Sequence, residues 1–427
     1  MNVLVFPGGN EVGLEVWRGL RFAKGVRPVA AGAPTPTPAS SLFGGYAELP
    51  LVSDPEWVDA LSHLCAQEEI GMIYPTHDRV IDAISASRSI LPCDVLLPSA
   101  GVVALARSKT QTYAALSGLI ATPHISPLNV EDDAFPLVVK PDAGFGSQGV
   151  RVVSSREELH SATVVENPVV SEYLPGPEFT VDCFSDRHGE VLFAAARQRN
   201  RIRMGTALSL IEAPSPVAGE LESWASRIQS VLAMRGGWFF QAKLRADGTP
   251  VLMDIGVRPA GSSSAARARG ANLPLLTVLD RQNIDLEVFD HRALVEPWSG
   301  ERYLGSRFRS FPAPEVIYVD LDDTLLIDGA VNVALLAFLF QNANEGSRLV
   351  LVTKSLETDL LAYLARHRLG GIFDSVVHLA EDDAKSDAIT TTDAMFIDDS
   401  FTQRREVHQR WGIPVLDPSM LDGFLSL

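Results

Sequence analysis

The sequence predicts a multidomain protein of mixed α/β and α+β class, with parts at 1–105, 106–305 and 314–427. Its 427 residues exceed what one hydrophobic core usually organises, so we expect two to four domains. Strand and helix patterns alternate near both ends, which is typical of parallel sheets covered by helices, whereas tight-turn signals in the middle favour an antiparallel sheet. Prolines in a linker at 300–314 stop any helix before the last part.

The first part alternates between strand and helix patterns. Residues 3–6 and 72–74 are short apolar stretches that we expect to form buried strands. Residues 11–22, 56–68 and 80–87 have helical apolar spacing. This order predicts a small parallel sheet covered by helices.

The middle part carries strand patterns separated by tight turns. The predicted strands lie at 136–140, 149–154, 169–173, 178–185, 238–244 and 251–255. Asp247 and Gly248 separate the last two, and an Asp-Gly pair is typical of a two-residue hairpin turn. We therefore expect an antiparallel sheet, and hence an α+β domain.

Composition and charge limit the class of protein and its partners. The chain is 46% hydrophobic and 21% charged, which is ordinary for a globular protein. Its net charge of −17 falls largely on residues 312–427, which hold 19 acidic and 8 basic side chains. An acidic surface repels nucleic acid and anionic membranes, so we expect neither as a partner. The acidity either serves solubility or reflects carboxylates that bind a divalent cation.

The N-terminus and the cysteines favour a cytoplasmic protein. The stretch MNVLVFPGG lacks a basic leader and ends in a turn, so it predicts a strand rather than a signal peptide. No apolar run approaches the roughly 18–20 residues that cross a bilayer. Cys65, Cys93 and Cys183 are far apart in sequence and indicate neither a zinc site nor a disulfide framework.

Carboxylates follow predicted strands in the C-terminal part. The apolar stretch 316–319 runs directly into Asp320 and Asp322, and alternate residues at a strand end share a face. The carboxyl ends of parallel strands are where α/β sheets bind ligands. Further polar residues end later strands or open a predicted helix, namely Thr353, Lys385, Asp398 and Asp399.

These residue types suit phosphoryl transfer. An aspartate can form an aspartyl-phosphate, and a second carboxylate can protonate the leaving alkoxide and then activate water. A hydroxyl and a lysine hold phosphate oxygens, while carboxylates bring in Mg²⁺, which prefers oxygen ligands. An Asp-x-Asp-x-Thr segment alone also occurs as an acidic turn, whereas four pieces in order favour catalysis.

The four pieces resemble the ordered motifs of the haloacid-dehalogenase-like (HAD-like) superfamily over about 115 residues, and the tail FIDDSFTQRREV is most similar to its FkbH-like branch. The resemblance implies a Rossmannoid α/β phosphohydrolase domain in which Asp320 attacks phosphorus and Asp322 is the acid–base. Thr353 matches the second motif and Lys385 the third. The metal ligands that the resemblance implies are Asp320, Asp322, Asp398 and Asp399.

The spacing of these motifs predicts a capless domain. About 30 residues separate Thr324 from Thr353, and about as many separate Thr353 from Lys385. Neither interval has room for a sizeable cap that would exclude water. Either a large substrate or the preceding domain would close the site.

A strand lysine and a glycine-rich turn mark the middle part. Lys140 ends an apolar stretch, and the turn at 144–149 follows it closely. Glycines let backbone amides approach phosphate oxygens, and a lysine adds a point charge. Because simple hairpins also contain glycine-rich turns, this feature alone leaves both interpretations open.

The motifs of the middle part, taken in order, resemble the ATP-grasp superfamily, with residues 1–105 as the pre-ATP-grasp domain that usually precedes it. The stretch GVRPAGSSSAARARGANLPLL is similar to the carbamoyl phosphate synthetase large subunit. The resemblance implies ATP and Mg²⁺ as cofactors, with Gln241 and Asp254 as metal ligands and Arg258 facing the reacting phosphoryl group. The nucleotide contacts that it implies are Lys109, Lys140, Gly144, Gly146, Ser147, Gly149, Glu172, Tyr173, Leu174 and Glu178.

The sequence departs from this family at a metal-binding motif. The family usually shows Glu-x-Asn-x-Arg, whereas this chain has Asp254, Gly256 and Arg258 at those places. Aspartate is a shorter carboxylate that still binds Mg²⁺, but Gly256 offers no ligand. Water or another residue would fill the place, or ATP would bind without efficient turnover.

Two smaller features, a series of alternating arginines and a His-Asp pair, are each open to a ligand-binding and a structural interpretation. Arg197, Arg199, Arg201 and Arg203 alternate along a predicted strand, and they would either grip an anionic substrate or form a solvated face. His77 and Asp78 follow a strand end, where a structural or capping role is favoured over contact with a ligand.

The leading hypothesis is a bifunctional enzyme that acts on small molecules. An ATP-grasp ligase would activate a carboxylate as an acyl-phosphate for attack by an amine or similar nucleophile, and an HAD-like phosphatase would remove a phosphate. One alternative is a phosphatase with a nucleotide-binding but non-ligating ATP-grasp domain. Another is a non-catalytic scaffold. A homodimer is expected from the family resemblance alone.

Overall fold

The computed structural model describes the chain except residues 145, 147, 166, 204, 292–297, 303–312, 422–423 and 426–427. The chain packs into two compact units, Met1–Tyr303 and Leu304–Leu427. None of the helices in the described part of the chain is long and apolar enough to cross a membrane. Much of the predicted linker at 300–314 lies outside the described residues.

The first unit begins with a parallel sheet. Its strands are β1 Asn2–Phe6, β2 Arg27–Gly32, β3 Ala47–Glu48, β4 Ile70–Pro75 and β5 Asp94–Val95. They lie in the order β3-β2-β1-β4-β5, with every pair parallel as predicted. The accompanying helices are α1 Glu11–Leu20, α2 Ala39–Leu42, α3 Trp57–Gln67, α4 Asp78–Ser87, α5 Ala100–Arg107 and α6 Lys109–Leu116.

A small antiparallel sheet follows in the first unit. Its strands are β6 Leu137–Pro141, β7 Arg151–Val153 and β8 Pro168–Glu172, and helix α7 Arg156–Ala162 lies between the last two in sequence. The order is β7-β6-β8, so the glycine-rich turn connects two hydrogen-bonded strands.

A larger antiparallel sheet completes the first unit. Its strands are β9 Glu178–Ser185, β10 Val191–Arg203, β11 Thr206–Glu212, β12 Gly236–Leu244, β13 Pro250–Gly256 and β14 Ser299–Glu301. Their order is β13-β12-β9-β10-β11-β14. Strands β12 and β13 pair antiparallel, which confirms the hairpin predicted from the Asp-Gly pair, and Gly248 has the positive φ of 87° that its turn requires. The helices are α8 Ser215–Leu232, α9 Ser264–Ala268 and α10 Leu273–Arg281.

One hydrophobic cluster joins the parallel sheet to the larger antiparallel sheet. It contains Leu4 and Ile73 of the parallel sheet together with Phe240 of β12 and Trp224 of α8. All four side chains are at most 1% exposed. Residues 1–105 and the segment that follows are therefore stabilised by a common core.

The second unit contains a parallel sheet. Its strands are β15 Val316–Val319, β18 Arg348–Thr353, β19 Ser375–His378, β20 Ala394–Ile397 and β21 Val415–Leu416, in the order β19-β18-β15-β20-β21. A small hairpin of β16 Leu326–Ile327 and β17 Ala330–Val331 follows β15. The helices are α11 Val333–Asn344, α12 Leu360–Arg366 and α13 Phe401–Trp411. Lys385 opens a short 3-10 helix, Lys385–Ala388, at the place where the sequence predicts a helix to begin.

Candidate functional site

A cavity of about 480 Å³ lies in the first unit. Its walls come from both antiparallel sheets and from the segments that follow strands of the parallel sheet. Of the nucleotide contacts and metal ligands that the ATP-grasp resemblance implies, all that the structure describes except Gly149 line this cavity. Ser147 lies outside the described residues.

Lys140 is held at the cavity wall by Tyr113. Its Nζ lies 2.8 Å from the Tyr113 hydroxyl, which donates to the carbonyl oxygen of Met253 at 2.6 Å. Burial lowers the pKa of Lys140 to about 8, repulsion by Lys109 adds to this effect, and attraction by Asp254 opposes it. A buried ammonium with few partners is poised to gain from an anionic ligand.

Lys109 lies at the start of α6, next to the strand that carries Asp254. Its Nζ is 3.7 Å from a carboxylate oxygen of Asp254 and donates to the carbonyl oxygen of Asp142 at 3.3 Å. The Asp142 carboxylate accepts from the Ser108 hydroxyl and from the Thr110 backbone amide, both at 2.7 Å. These bonds fix the start of α6 to the residue that precedes the glycine-rich turn.

The turn itself uses glycine for its backbone shape. Gly146 and Gly149 have positive φ values of 58° and 72°, a region that other residues adopt at a cost. Gly144 and Gly146 line the cavity together with Gln148, which the sequence did not single out. Exposed amides of such a turn suit phosphate oxygens.

Glu172, Tyr173 and Leu174, which the ATP-grasp resemblance implies as the adenine hinge, line the cavity, but the Glu172 side chain is already bound. The two oxygens of Glu172 accept from Arg245 at 2.7 and 2.9 Å, and the backbone amide of His124 donates to one of them. Burial alone would raise the pKa of Glu172, and these hydrogen bonds bring it below its ordinary value. The Glu172 carboxylate is therefore occupied by Arg245 and the His124 amide, whereas Tyr173 and Leu174 also line the cavity.

Glu178 forms an ion pair with Arg199, which also donates to the carbonyl oxygen of Gly205. Arg197 instead pairs with Asp182 at 2.7 Å, and both of these side chains are almost fully buried. The register of β10 shifts after Arg199, so the four alternating arginines do not share one environment. Arg201 and Arg203 are exposed, so the strand forms neither a uniform anion-binding face nor a solvated one.

The two predicted metal ligands are opposite each other across a strand pair. Gln241 of β12 and Asp254 of β13 are register partners, which places their side chains on one face of the sheet. Phe239 and Gly256 form another register pair of the same two strands. A Cβ atom added at Gly256 would lie 2.2 Å from Cε1 of Phe239, so an aromatic ring fills the place where the family carries asparagine.

Arg258 contacts this ring and a carboxylate of the parallel-sheet region. Its guanidinium carbon lies 5.5 Å from the centre of the Phe239 ring, and its Nη2 donates to Asp78 at 2.8 Å. His77 caps α4, because its Nδ1 accepts from the Arg79 backbone amide at 3.3 Å. His77 therefore has the capping role that the sequence favoured, although both His77 and Asp78 line the cavity, and Asp78 pairs with a predicted catalytic residue.

The second unit brings carboxylates together at the carboxyl end of its sheet. Asp320 follows β15, and Asp398 and Asp399 follow β20, the neighbouring strand. One oxygen from each lies within 4.8 Å of the others, which suits a divalent cation such as Mg²⁺. The exposed Asp322 is outside this group, since it lies in the turn after the strand, where the next residue, Asp323, has a positive φ of 54°.

Lys385 and Thr324 hold these carboxylates. Lys385 Nζ lies 2.7 Å from both Asp320 and Asp398. Burial raises the pKa of Asp320 to about 7, with the Asp398 charge adding to the effect and Lys385 opposing it. The buried Thr324 hydroxyl donates to the Asp399 carboxylate at 3.1 Å and accepts from its amide at 2.9 Å. Thr353, also buried, accepts from the Ser355 amide at 3.0 Å.

Part of the first unit matches a protein-family model in sequence, and the structure is similar to solved structures. Residues 165–297 match the family model described as ATP-grasp in the biosynthetic pathway with Ter operon. The structure is similar to biotin carboxylase from Campylobacter jejuni in its β-γ-ATP complex, with a TM-score of 0.58 and 14% identity over 68% of this chain and 72% of that one. No curated protein matches the sequence.

Two further solved structures share the fold. The biotin carboxylase domain dimer of the Hydrogenobacter thermophilus 2-oxoglutarate carboxylase, with MgADP, ADP and bicarbonate, has a TM-score of 0.58 and 14% identity, covering 71% of this chain and 72% of that one. L-amino acid ligase from Bacillus licheniformis has a TM-score of 0.52 and 21% identity, covering 67% and 75%. Such identities show the fold alone.

These findings support the ATP-grasp superfamily as the class of the first unit. Relatives with this fold bind ATP or ADP with Mg²⁺, the two cofactors that the sequence predicts. The matching family model ends at residue 297, before the second unit begins. The HAD-like resemblance of the second unit has no support from these comparisons and stays a prediction.

Proposed function

We propose that the first unit is an ATP-dependent ligase that activates a carboxylate as an acyl-phosphate and joins it to an amine or similar nucleophile. The observation that carries the proposal is the cavity in which Lys109, Lys140, Asp254 and Arg258 meet a glycine-rich turn. The ATP-grasp fold of this unit and the family match over 165–297 support it.

The charges of this cavity suit phosphoryl transfer from ATP. Lys140 and Lys109 would hold phosphate oxygens, and the hinge backbone would hold adenine. A substrate carboxylate near Arg258 would attack the terminal phosphorus, so that ADP leaves and an acyl-phosphate forms. The nucleophile would then attack the acyl carbon, and phosphate would leave. Cationic groups favour both steps because negative charge develops on the transferred and leaving oxygens.

Magnesium fits this cavity with a reduced set of protein ligands. Gln241 and Asp254 offer oxygens from one face of the β12–β13 pair. The Phe239 ring takes the space beside Gly256, so no side chain can supply a ligand from that place. Mg²⁺ is commonly held by one or two protein carboxylates together with substrate phosphates and several waters, so Asp254 with Gln241 is sufficient for metal bound with nucleotide.

The ligase proposal is tested by screening carboxylate and amine pairs with ATP and Mg²⁺ and measuring ADP together with the mass of the coupled product. We expect ADP formation that requires both substrates, and its loss in Lys140→Met. If the protein binds nucleotide by calorimetry but forms no ADP with any pair, the alternative is favoured. In that alternative, which Gly256 motivates, the first unit binds nucleotide as a non-ligating regulator.

We further propose that the second unit is a magnesium-dependent phosphatase that uses an aspartyl-phosphate intermediate. The observation that carries this proposal is the contact of Lys385 with both Asp320 and Asp398, next to Asp399. Asp320 would attack phosphorus, and Asp322, in an exposed turn, would act as acid–base. Lys385 and Thr353 would bind the transferred phosphoryl group, and the carboxylates would hold Mg²⁺, which would neutralise charge there.

The phosphatase proposal is tested with a panel of phosphomonoesters, with and without Mg²⁺. We expect release of phosphate by the wild-type chain and none by Asp320→Asn. Absence of hydrolysis in the wild type across the panel would remove this half of the proposal. If the ligase screen also failed, the non-catalytic scaffold would be the better account.

A further inference from the structure

Asp78 makes no capping contact of its own, although it is the first residue of α4. The cap of this helix is His77, whereas the Asp78 carboxylate contacts arginines. One oxygen accepts from Arg258 Nη2 at 2.8 Å, and the other lies 3.6 Å from Arg107 Nη1. Asp78 is 8% exposed. A carboxylate buried to this extent is costly unless it is paired, and here two guanidinium groups pair it.

Arg107 connects Asp78 to the glycine-rich turn. It ends α5, and its Nη1 donates to the carbonyl oxygen of Gly144 at 3.2 Å. On the other side its Nε donates to the Asp82 carboxylate at 3.0 and 3.3 Å. Gly144, Arg107, Asp78 and Arg258 all line the cavity. A continuous set of contacts therefore runs from the start of the turn to the arginine beside the metal ligands.

We infer that Asp78 and Arg107 are positioning residues, which hold the glycine-rich turn and Arg258 in fixed places on either side of the nucleotide phosphates. This inference rests on the proposed ligase function of the first unit. The Asp78 charge keeps two guanidinium groups close that would otherwise repel each other. The Gly144 carbonyl gives Arg107 a fixed contact on the turn. The role assigned to Asp78 is exerted through its contacts with Arg258 and Arg107.

The inference is tested by measuring, for each variant, backbone hydrogen exchange beside the glycine-rich turn, affinity for an ATP analogue and the rate of ADP formation. In full-length Asp78→Asn, the backbone amides of Asp142 and Thr110, which are hydrogen-bonded beside the turn to Asn167 and to the Asp142 carboxylate, should exchange about tenfold faster, as expected when a hydrogen bond to a charged group is lost. The affinity for the ATP analogue AMP-PNP with Mg²⁺ should change by less than about threefold, while ADP formation falls about 100-fold, because Arg258 acts mainly in the transition state. Arg107→Gln should raise exchange similarly, and Arg107→Lys should restore part of the protection.

Asp82→Asn is the matched control, because Asp82 contacts Arg107 from outside the cavity. In Asp82→Asn, hydrogen exchange of the backbone amides of Asp142 and Thr110 should stay within about twofold of the wild type, because a solvent-exposed ion-pair partner contributes little. Melting temperatures identify any variant that is globally destabilised, and Arg107→Gln then carries the test. Unchanged exchange in both Asp78→Asn and Arg107→Gln would overturn the inference. Failure of the wild type to bind AMP-PNP would instead overturn the proposed function. The hydrogen exchange measurement does not depend on nucleotide, so it would still show whether Asp78 and Arg107 hold the turn in place.

Discussion

The Phe239 ring and Gly256 exclude a side chain from the place where related proteins carry a metal ligand. The two residues are register partners on β12 and β13, and a Cβ at 256 would lie 2.2 Å from the ring. The same ring lies against the guanidinium of Arg258. A side chain at 256 therefore requires the Phe239 ring to move, and asparagine there would displace the ring that lies against Arg258.

Gly256→Asn should lower the free energy of unfolding by about 1–3 kcal/mol, the usual cost of overpacking a well-packed site. In a Phe239→Ala background, Gly256→Asn should lower the free energy of unfolding by less than it does in the wild type, because the smaller side chain at 239 leaves space for the asparagine. Chemical denaturation of the four proteins in this double-mutant cycle measures the coupling between the two positions. Additive effects would show that the clash is relieved elsewhere.

Nucleotide affinity should decrease as the pH rises above about 8, the pKa of Lys140. Above that value the ligand-free lysine is increasingly neutral, whereas bound phosphates favour its charged form. Binding therefore takes up a proton, and the nucleotide affinity falls by an amount that approaches tenfold per pH unit. Below it the lysine is already charged, and its contribution is constant. Calorimetry with AMP-PNP from pH 7 to pH 9.5 checks this dependence. Lys140→Arg, whose charge persists, should show a flatter profile.

The same pKa makes a prediction about folding. Because the ordinary lysine pKa is 10.5, the unfolded chain binds more protons at Lys140 than the folded chain between about pH 8 and that value. The Lys140 contribution to the free energy of unfolding should therefore increase with pH across this window. Comparing wild type with Lys140→Met at pH 7.5 and pH 9.5 isolates that contribution. The free energy of unfolding of the wild type minus that of Lys140→Met should increase from pH 7.5 to pH 9.5, and a value that stays constant or decreases contradicts the assigned shift.

Thr324→Val should weaken Mg²⁺ binding in the second unit. The Thr324 hydroxyl donates to one oxygen of Asp399 and accepts from its amide, so valine removes both hydrogen bonds while conserving shape. Loss of a group that orients a metal ligand typically costs 10–100-fold in affinity. Calorimetric titration with Mg²⁺ measures the change, and Thr391→Val, which removes a half-buried hydroxyl that accepts from the Asp393 amide rather than from the Asp399 amide, serves as a control. Equal affinities in wild type and Thr324→Val would show that Asp399 is not a ligand.

Local patterns were sufficient to predict much of the fold. The Asp-Gly pair gave the β12–β13 hairpin, and the apolar stretch before Asp320 gave β15. Both are short-range signals, since strand periodicity and turn chemistry depend on adjacent residues. The helix predicted to begin at Lys385 is present as a short 3-10 helix, Lys385–Ala388, whose type and length the sequence did not specify.

Contacts between distant residues could not be predicted from one sequence. Asp78 and Arg258 are 180 residues apart, and Glu172 and Arg245 are 73 apart, yet both pairs form ion pairs in the cavity wall. No local spacing encodes these partners, because the strand register and helix placement that create them depend on the whole unit. Glu172 was thus expected to serve nucleotide, whereas its carboxylate is held by Arg245.

Calorimetric titration of the full chain with AMP-PNP and Mg²⁺ tests the central claim that the first unit binds ATP in this cavity. Typical enzyme affinities for substrates lie between about 1 μM and 1 mM, so the titration must reach the upper end of that range. The predicted result is one nucleotide per chain in wild type and in Asp320→Asn, with binding lost or much weakened in Lys140→Met. Absence of binding in wild type, or equal binding in wild type and Lys140→Met, would contradict the account.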